Sequence, residues 1–236
     1  MTDLNELKLF ATTPHPCSYL DDRDATTVFI DPEVGVDQNL YSQLTNYGFR
    51  RSGKHIYRPA CKTCQACIPI RVDVETFTPN RSQQRCLRKN KDLTVTVVST
   101  IDTDEHYTLY AIYIEQRHSD GDMYPPKRDE YRSFLSAQWG VTKYLEFRNS
   151  ENSLIGVAVA DQLENGISAV YTFFDPNEQK RSLGVYAVLA QIEWAQKQSN
   201  RYVYLGYWIK ECQKMSYKTL YKPFELFINN QWLTFI

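Results

Sequence analysis

The spacing of apolar positions changes character along the chain, and the changes mark out its elements. In IPIRVDVETF (68–77), Ile68, Ile70, Val72 and Val74 share one parity while Arg71 and Asp73 share the other, which predicts a half-buried strand. Upstream the pattern is short and broken. TTVFID (26–31) predicts a strand, YGFRRSGKHIYRP (47–59) predicts a hairpin turning at Ser52-Gly53-Lys54, and the rest reads as loop. Asn80 or Ser82 can accept hydrogen bonds from the orphan amides of a helix running to about Lys91.

Beyond Leu93 the segments lengthen. LTVTVVS (93–99) predicts a strand, residues 102–117 a helix with Leu109, Ile112 and Tyr113 at helical spacing, and RDEYRSFLSAQW (128–139) a second helix. Three strands follow, at 141–149, 153–163 and 167–176, with a tight turn at Glu164-Asn165-Gly166. A helix over 182–197 then buries a stripe of Val185, Leu189, Ile192 and Ala195, and strands at 201–208 and 224–228 close the series. Two helices, three meandering strands, a helix and further strands is the order of the acetyltransferase-type (GNAT) fold, which places an acyl donor at the start of the helix after the meander. The expected architecture is therefore α/β (α+β). A small cysteine-bearing N-terminal domain (1–91) precedes a GNAT-like acyltransferase domain (92–236).

Composition narrows the class. With 42% apolar and 14% aromatic residues the chain can bury a core. It has no run of 18 apolar residues, and its N-terminal stretch is acidic without a long apolar segment, so neither a membrane span nor a secretory leader is expected. A cytoplasmic location follows. The net charge of −1 conceals a polarity: residues 47–91 hold 11 Lys and Arg against two Asp and Glu. Such a block is an electrostatic footprint for phosphates, and Arg81, Arg85, Arg88 and Lys89 would share one helix face within it. The plainer alternative is a solvated surface facing the acidic segments.

Six cysteines in a reducing compartment point to metal or catalysis before disulfides. Cys61, Cys64 and Cys67 form C-x2-C-x2-C on a loop, where thiolates can converge on a zinc or iron–sulfur centre. Cys17, Cys86 or His55 could complete it, and the alternative is three reduced thiols packing a loop. Cys212 stands apart and reads as a small buried hydrophobe.

HPCSYL (15–20), GFRRSGKHIYRPAC (48–61), the cysteine motif running into CIPIRV (67–72) and PNRSQQRCLRKN (79–90) resemble the N-terminal domain of the arginyl-tRNA–protein transferase family. RHSDGDMYPP (117–126), FFDPNEQKRSLGVYAVLAQIEWA (173–195) and YLGYWIKECQKMSYKTLYKPFE (204–225) resemble its C-terminal domain. The short length resembles the bacterial branch. The resemblance implies a GNAT-like aminoacyltransferase that moves leucine from leucyl-tRNA to proteins beginning with Asp or Glu, marking them for degradation. It implies Cys17, Cys61, Cys64 and Cys67 as metal ligands, although Leu20 stands where eukaryotic relatives carry a second cysteine.

An aminoacyl ester is already reactive toward amines, so no covalent intermediate and no cofactor are required, only positioning and charge stabilisation. Backbone amides near Ser182 and Gly184, with Lys180 and Arg181, form a candidate phosphate site at a helix start. Tyr186, where acyl-CoA enzymes carry a small residue, would obstruct pyrophosphate there. His118 is the candidate proton acceptor, and Asp120 or Asp122 could hold the acceptor's ammonium. Arg117, then Arg181 and Arg71, are candidates for the acceptor's side-chain carboxylate. Tyr207 and Trp208 are candidates for stacking on the terminal adenosine of the tRNA. The rival classes are an acyl-CoA N-acetyltransferase and a noncatalytic zinc-bearing tRNA-binding adaptor.

Overall fold

A computed structural model describes residues 7–135 and 141–236. The chain opens with strands β1 (Leu9–Ala11), β2 (His15–Pro16), β3 (Asp24–Ala25) and β4 (Thr27–Ile30), then helix α1 (Gln38–Asn46) and the hairpin β5 (Arg50–Ser52) and β6 (His55–Pro59). Strand β7 (Ile68–Asp73) and helix α2 (Arg81–Lys89) lead into β8 (Thr94–Val98), α3 (Asp104–Arg117) and α4 (Arg128–Leu135). The meander β9 (Thr142–Arg148), β10 (Leu154–Gln162) and β11 (Gly166–Phe174) is followed by α5 (Leu183–Lys197), β12 (Tyr202–Trp208), β13 (Phe224–Ile228) and β14 (Gln231–Phe235). The expected GNAT-like order is present. The last four residues of the helix expected at 128–139 lie outside the described residues.

Helix α1 is a departure from the expected run of short strands. Asp37 caps it by accepting from the Leu40 amide, and Leu40, Tyr41 and Leu44 bury its inner face. Helix α2 begins with a reciprocal cap between Asn80 and Gln83. Helix α5 is buried on most of its circumference rather than along a stripe, because α2 packs against it as well as the sheet.

The larger sheet runs β14-β13-β7-β12-β11-β10-β9-β8. Strand β7 thus sits between β12 and β13, antiparallel to both, inside the sheet formed by the downstream residues. It is buried on both faces, so Arg71 and Asp73, expected to face solvent, are enclosed. Helices α2 and α5 pack on one face of the sheet, over Leu145, Phe147, Ala158 and Ile167. Helices α3 and α4 cover Tyr144, Val157, Val159 and Phe173 on the other. A third cluster joins Ile30, Leu40, Leu44, Phe49 and Ile56 of the N-terminal elements to Leu163 and Tyr204 of the large sheet.

Candidate active site

Strands β11 and β12 are the only parallel neighbours among the described strands, and their pairing ends at Ser168↔Tyr204. Beyond that point β12 shifts register against β7 between Tyr204 and Tyr207, with Gly206 at φ +80°. The two strands open there. A side chain from the N-terminal hairpin enters the opening: Arg50 Nη1 donates to Ser168 Oγ at 3.0 Å, and Nη2 donates to the Ala169 carbonyl. A Cβ at position 206 would stand 3.3 Å from the guanidinium carbon, so glycine is what lets the cation lie against the backbone. One residue on, the Tyr207 carbonyl accepts from Lys218 Nζ at 2.7 Å. Burial, then the neighbouring Arg50, push the Lys218 ammonium down to about 8.

The loop after α3 borders the same region. Met123 Sδ accepts from Tyr171 Oη of β11 at 3.6 Å, and Tyr113 of α3 lies edge-on to Phe174 of β11. His118 closes α3, with Nε2 3.2 Å from Tyr113 Oη. Burial, then Arg117, then Lys214 hold its imidazole below the usual histidine value, against the pull of Asp120. The ring is therefore neutral near pH 7, as a proton acceptor must be. Burial holds the Tyr217 hydroxyl above its usual value, against the pull of Arg50. Arg117, at the end of α3, and Asp120 and Asp122, on this loop, are exposed.

Other expected site residues are placed differently. Arg181 is held by both carboxylate oxygens of Asp92 at 2.9 Å and by Glu178, so its charge is neutralised at the start of α5. Arg71 is buried, paired with Glu225 at 2.6 Å and enclosed by the rings of Tyr202 and Trp232. Neither is free to receive a substrate carboxylate. Tyr207 is turned inward, its hydroxyl donating to the Gly48 carbonyl at 2.7 Å, and only 7% exposed; it pins the hairpin and offers no stacking surface. Trp208 is half-buried against the core under α5. Tyr186 packs edge-on to Phe147 within the core, so it does not obstruct the helix start. The contrast with acyl-CoA enzymes drawn from that residue therefore falls away. Ser182 takes a left-handed backbone conformation there and makes no side-chain cap, and Gly184 faces Phe174.

Arg81, Arg85, Arg88 and Lys89 are all exposed on α2, while Gln83 and Cys86 face inward. Lys89 Nζ reaches the Lys180 carbonyl and Asn90 reaches that of Arg181, so the basic helix abuts the turn before α5.

Cys17, Cys61, Cys64 and Cys67 line one cavity of about 740 Å³. Cys212 joins them electrostatically: Cys67 is pushed up to about 12 by burial and then by Cys17, Cys61, Cys64 and Cys212. Sequence position had isolated Cys212. Cys64 moves the other way, its thiol lowered by the Ala66 amide and by Arg23, whose Nη1 lies 3.4 Å from Sγ. Thiolates suit zinc or an iron–sulfur centre. Among the described residues, however, no three His, Cys, Asp or Glu side chains converge in ligating geometry, so the arrangement does not fit a metal centre as it stands. His55 and Cys86 are elsewhere, on β6 and facing Arg181 and Ser182.

The parallel strand pair thus opens around Arg50, with the loop bearing His118 at its border, in a chain whose element order is the one expected of an acyltransferase-type domain. Comparison with known proteins specifies it. The model of the arginine-tRNA-protein transferase N terminus matches residues 15–85, and that of the C terminus matches residues 105–228. The chain belongs to the arginine-tRNA-protein transferase family. It is 98% identical over 236 residues to the aspartate/glutamate leucyltransferase of Saccharophagus degradans, covering all of both chains. It is 60% identical over 233 residues to that of Teredinibacter turnerae, covering 99% of this chain and 96% of the relative. Among solved structures, a conserved protein of Bacteroides thetaiotaomicron superposes with a TM-score of 0.51 at 13% identity, over 68% of this chain and 57% of that one. The C-terminal domain of an Agrobacterium fabrum protein designated a lysylphosphatidylglycerol synthetase gives 0.50 at 12% identity, over 83% and 62%. Those two likenesses concern the fold alone. No helix among the described residues is long and apolar enough to cross a membrane.

Proposed function

We propose that this chain transfers leucine from leucyl-tRNA to the N-terminal amine of proteins beginning with Asp or Glu. The observation that carries the reading is its similarity, over the full length of both chains, to aspartate/glutamate leucyltransferases. In the reaction the acceptor's neutral amine attacks the ester carbonyl, a C–N bond forms, and the C–O bond to the terminal ribose breaks. The proton leaves the amine for the ribose oxygen. His118, neutral and half-buried beside the strand opening, is suited to carry it, and Asp120 and Asp122 stand on the same loop to hold the ammonium before reaction. The exposed cations of α2, with Lys180, are suited to the tRNA backbone. No step needs a metal or a second nucleophile. The cytoplasm, where aminoacyl-tRNA is made, is the proposed location.

The test is to offer radiolabelled leucyl-tRNA and arginyl-tRNA with peptides beginning with Asp, Glu, Lys or Ala. Leucine should pass to the Asp and Glu peptides alone. Transfer of arginine instead, or thermal protection by acetyl-CoA with none by leucyl-tRNA, would overturn the reading.

A further inference from the structure

Arg50 and Lys218 are an unusual pair. They come from distant parts of the chain, one on the hairpin strand β5 and the other on the 3-10 segment Gln213–Leu220, and both lie against neighbouring residues of β12, Arg50 at Gly206 and Lys218 at the Tyr207 carbonyl. Both are half-buried, yet among the described residues neither has a carboxylate partner. Arg50 is satisfied by a serine hydroxyl and a carbonyl, and Lys218 by a carbonyl. The buried acid of this region, Asp161, is taken up by Arg51, Thr142 and Tyr41. Their hydrogen bonds leave both charges unneutralised, and two like charges brought together away from water repel, a cost that an arriving anion would relieve. The other arginines of the molecule's interior show the contrast: Arg51 has Asp161 and Arg71 has Glu225.

We infer that Arg50 and Lys218 form the receptor for the side-chain carboxylate of the acceptor's first residue. The inference rests on the transferase reading above. A guanidinium gripped through Nη1 and Nη2 by Ser168 and Ala169 keeps its remaining N–H donors directed elsewhere, and a planar fork suits a carboxylate through two parallel hydrogen bonds. Lys218, held by the carbonyl of the next residue, Tyr207, adds a point charge. The site lies in the opening of β11 and β12, and the loop that follows α3 and His118 touches the same strand through Met123 and Tyr171, so side chain and amine of one acidic residue would be read together there. Arg117, by comparison, is exposed at the end of α3, outside the opening. Ser168, wholly buried, is a positioning residue for the guanidinium.

The test uses the full chain, leucyl-tRNA, and peptides that begin with Asp or with its uncharged isostere Asn. The readout is the ratio of kcat/KM values for the two peptides, which a purely structural role would not move. The wild type should favour Asp by about 100-fold or more, the scale of losing a charge-assisted pair in a desolvated site. Arg50→Gln and Lys218→Met should each shrink that ratio at least about tenfold with leucyl-tRNA affinity unchanged, and Arg50→Lys should fall between, since it keeps the charge but loses the fork. Ser168→Ala should raise KM for the Asp peptide more than it lowers kcat. If Arg50→Gln does not fold by its thermal transition, Arg50→Lys and Lys218→Met decide alone. An unchanged Asp/Asn ratio in the folded variants overturns the inference, as does collapse of the ratio in Arg117→Ala instead. A wild-type chain that transfers leucine to no peptide would overturn the transferase reading itself, and the inference with it.

Discussion

Arg51 and Asp161 form a two-pronged ion pair, Nε to Oδ2 at 2.7 Å and Nη2 to Oδ1 at 2.9 Å, with neither side chain exposed to solvent. It ties the hairpin that carries Arg50 to strand β10 of the large sheet. Tyr41 and Thr142 also donate to the carboxylate, so Asp161 is fully satisfied only when the N-terminal elements are docked. Removing one partner strands a buried charge. Arg51→Met should lower unfolding stability by about 3–5 kcal/mol in urea titrations, and Arg51→Met with Asp161→Leu should cost clearly less than that. A single variant as stable as the wild type would show that the pair does not hold the hairpin.

Lys218 should leave a signature in alkali. Its folded value, about 8, lies below the ordinary 10.5, so between those values the unfolded chain binds a proton that the folded chain has released. Stability of the wild type should therefore rise with pH across that window relative to Lys218→Met. The facing groups are Arg50, which drives the proton off, and the Cys212 thiol, which opposes it only once ionised. In the assay, KM for Asp peptides should climb above about pH 8 as the ammonium is lost. Lys218→Arg should flatten that climb.

His118 predicts the acid side of the profile. Its lowered value places the acid limb of kcat/KM below the ordinary 6.5. His118→Ala should reduce kcat by about 100-fold or more while leaving tRNA affinity intact. Replacing the cationic neighbour, Arg117→Gln, should move the limb upward toward 6.5. A limb that stays in place in the His118 variant would assign it to another group.

The basic helix predicts a salt effect. Arg85 and Arg88 are exposed on one face of α2 and carry no ion pair among the described residues. Replacing both with Ala should weaken tRNA binding and reduce the slope of log affinity against log salt by up to about 2 phosphate contacts. An unchanged slope would return the helix to the role of a solvated surface.

The cysteines should differ in reactivity. Cys64, half-exposed with its thiol value lowered, should be alkylated by iodoacetamide well before Cys67 and Cys86, whose values burial raises. Peptide mass mapping over time reads the order directly. Faster labelling of Cys67 would mean that the five thiols are arranged differently in solution.

The strands from β7 to β13 and the later helices were legible because their apolar spacing is long and regular, whereas β14 and the short strands β1 to β3 were not expected individually. Helix α1 was not: QNLYSQLTN carries only two leucines and a tyrosine in nine residues, and its cap at Asp37 lies in a stretch without other signals. The cysteine motif and the loop bearing His118 could be seen as chemistry, since residue type and spacing are local. Partnerships could not. Arg50, Arg51 and Arg71 all lie in the basic block and look alike there, yet one meets Ser168, one Asp161 and one Glu225. Tyr207 looked like a stacking residue because nothing nearby in sequence shows that Gly48 receives its hydroxyl. The sign that could have raised Arg50 was Gly206 in YLGYW, a glycine inside a strand pattern, which marks a bulge or a close approach.

The place of β7 also governs when this protein can exist. Its two neighbours, β12 and β13, are made after almost everything else, so during translation the strand waits with both hydrogen-bonding edges open while the residues from 74 to 201 are added behind it. A nascent or truncated chain lacking residues 202–228 would expose a strand of Ile70, Val72 and Val74 with no partner on either side, a template for aggregation and an easy target for proteases. Closure of the sheet around β7 therefore waits on the last strands to be synthesised.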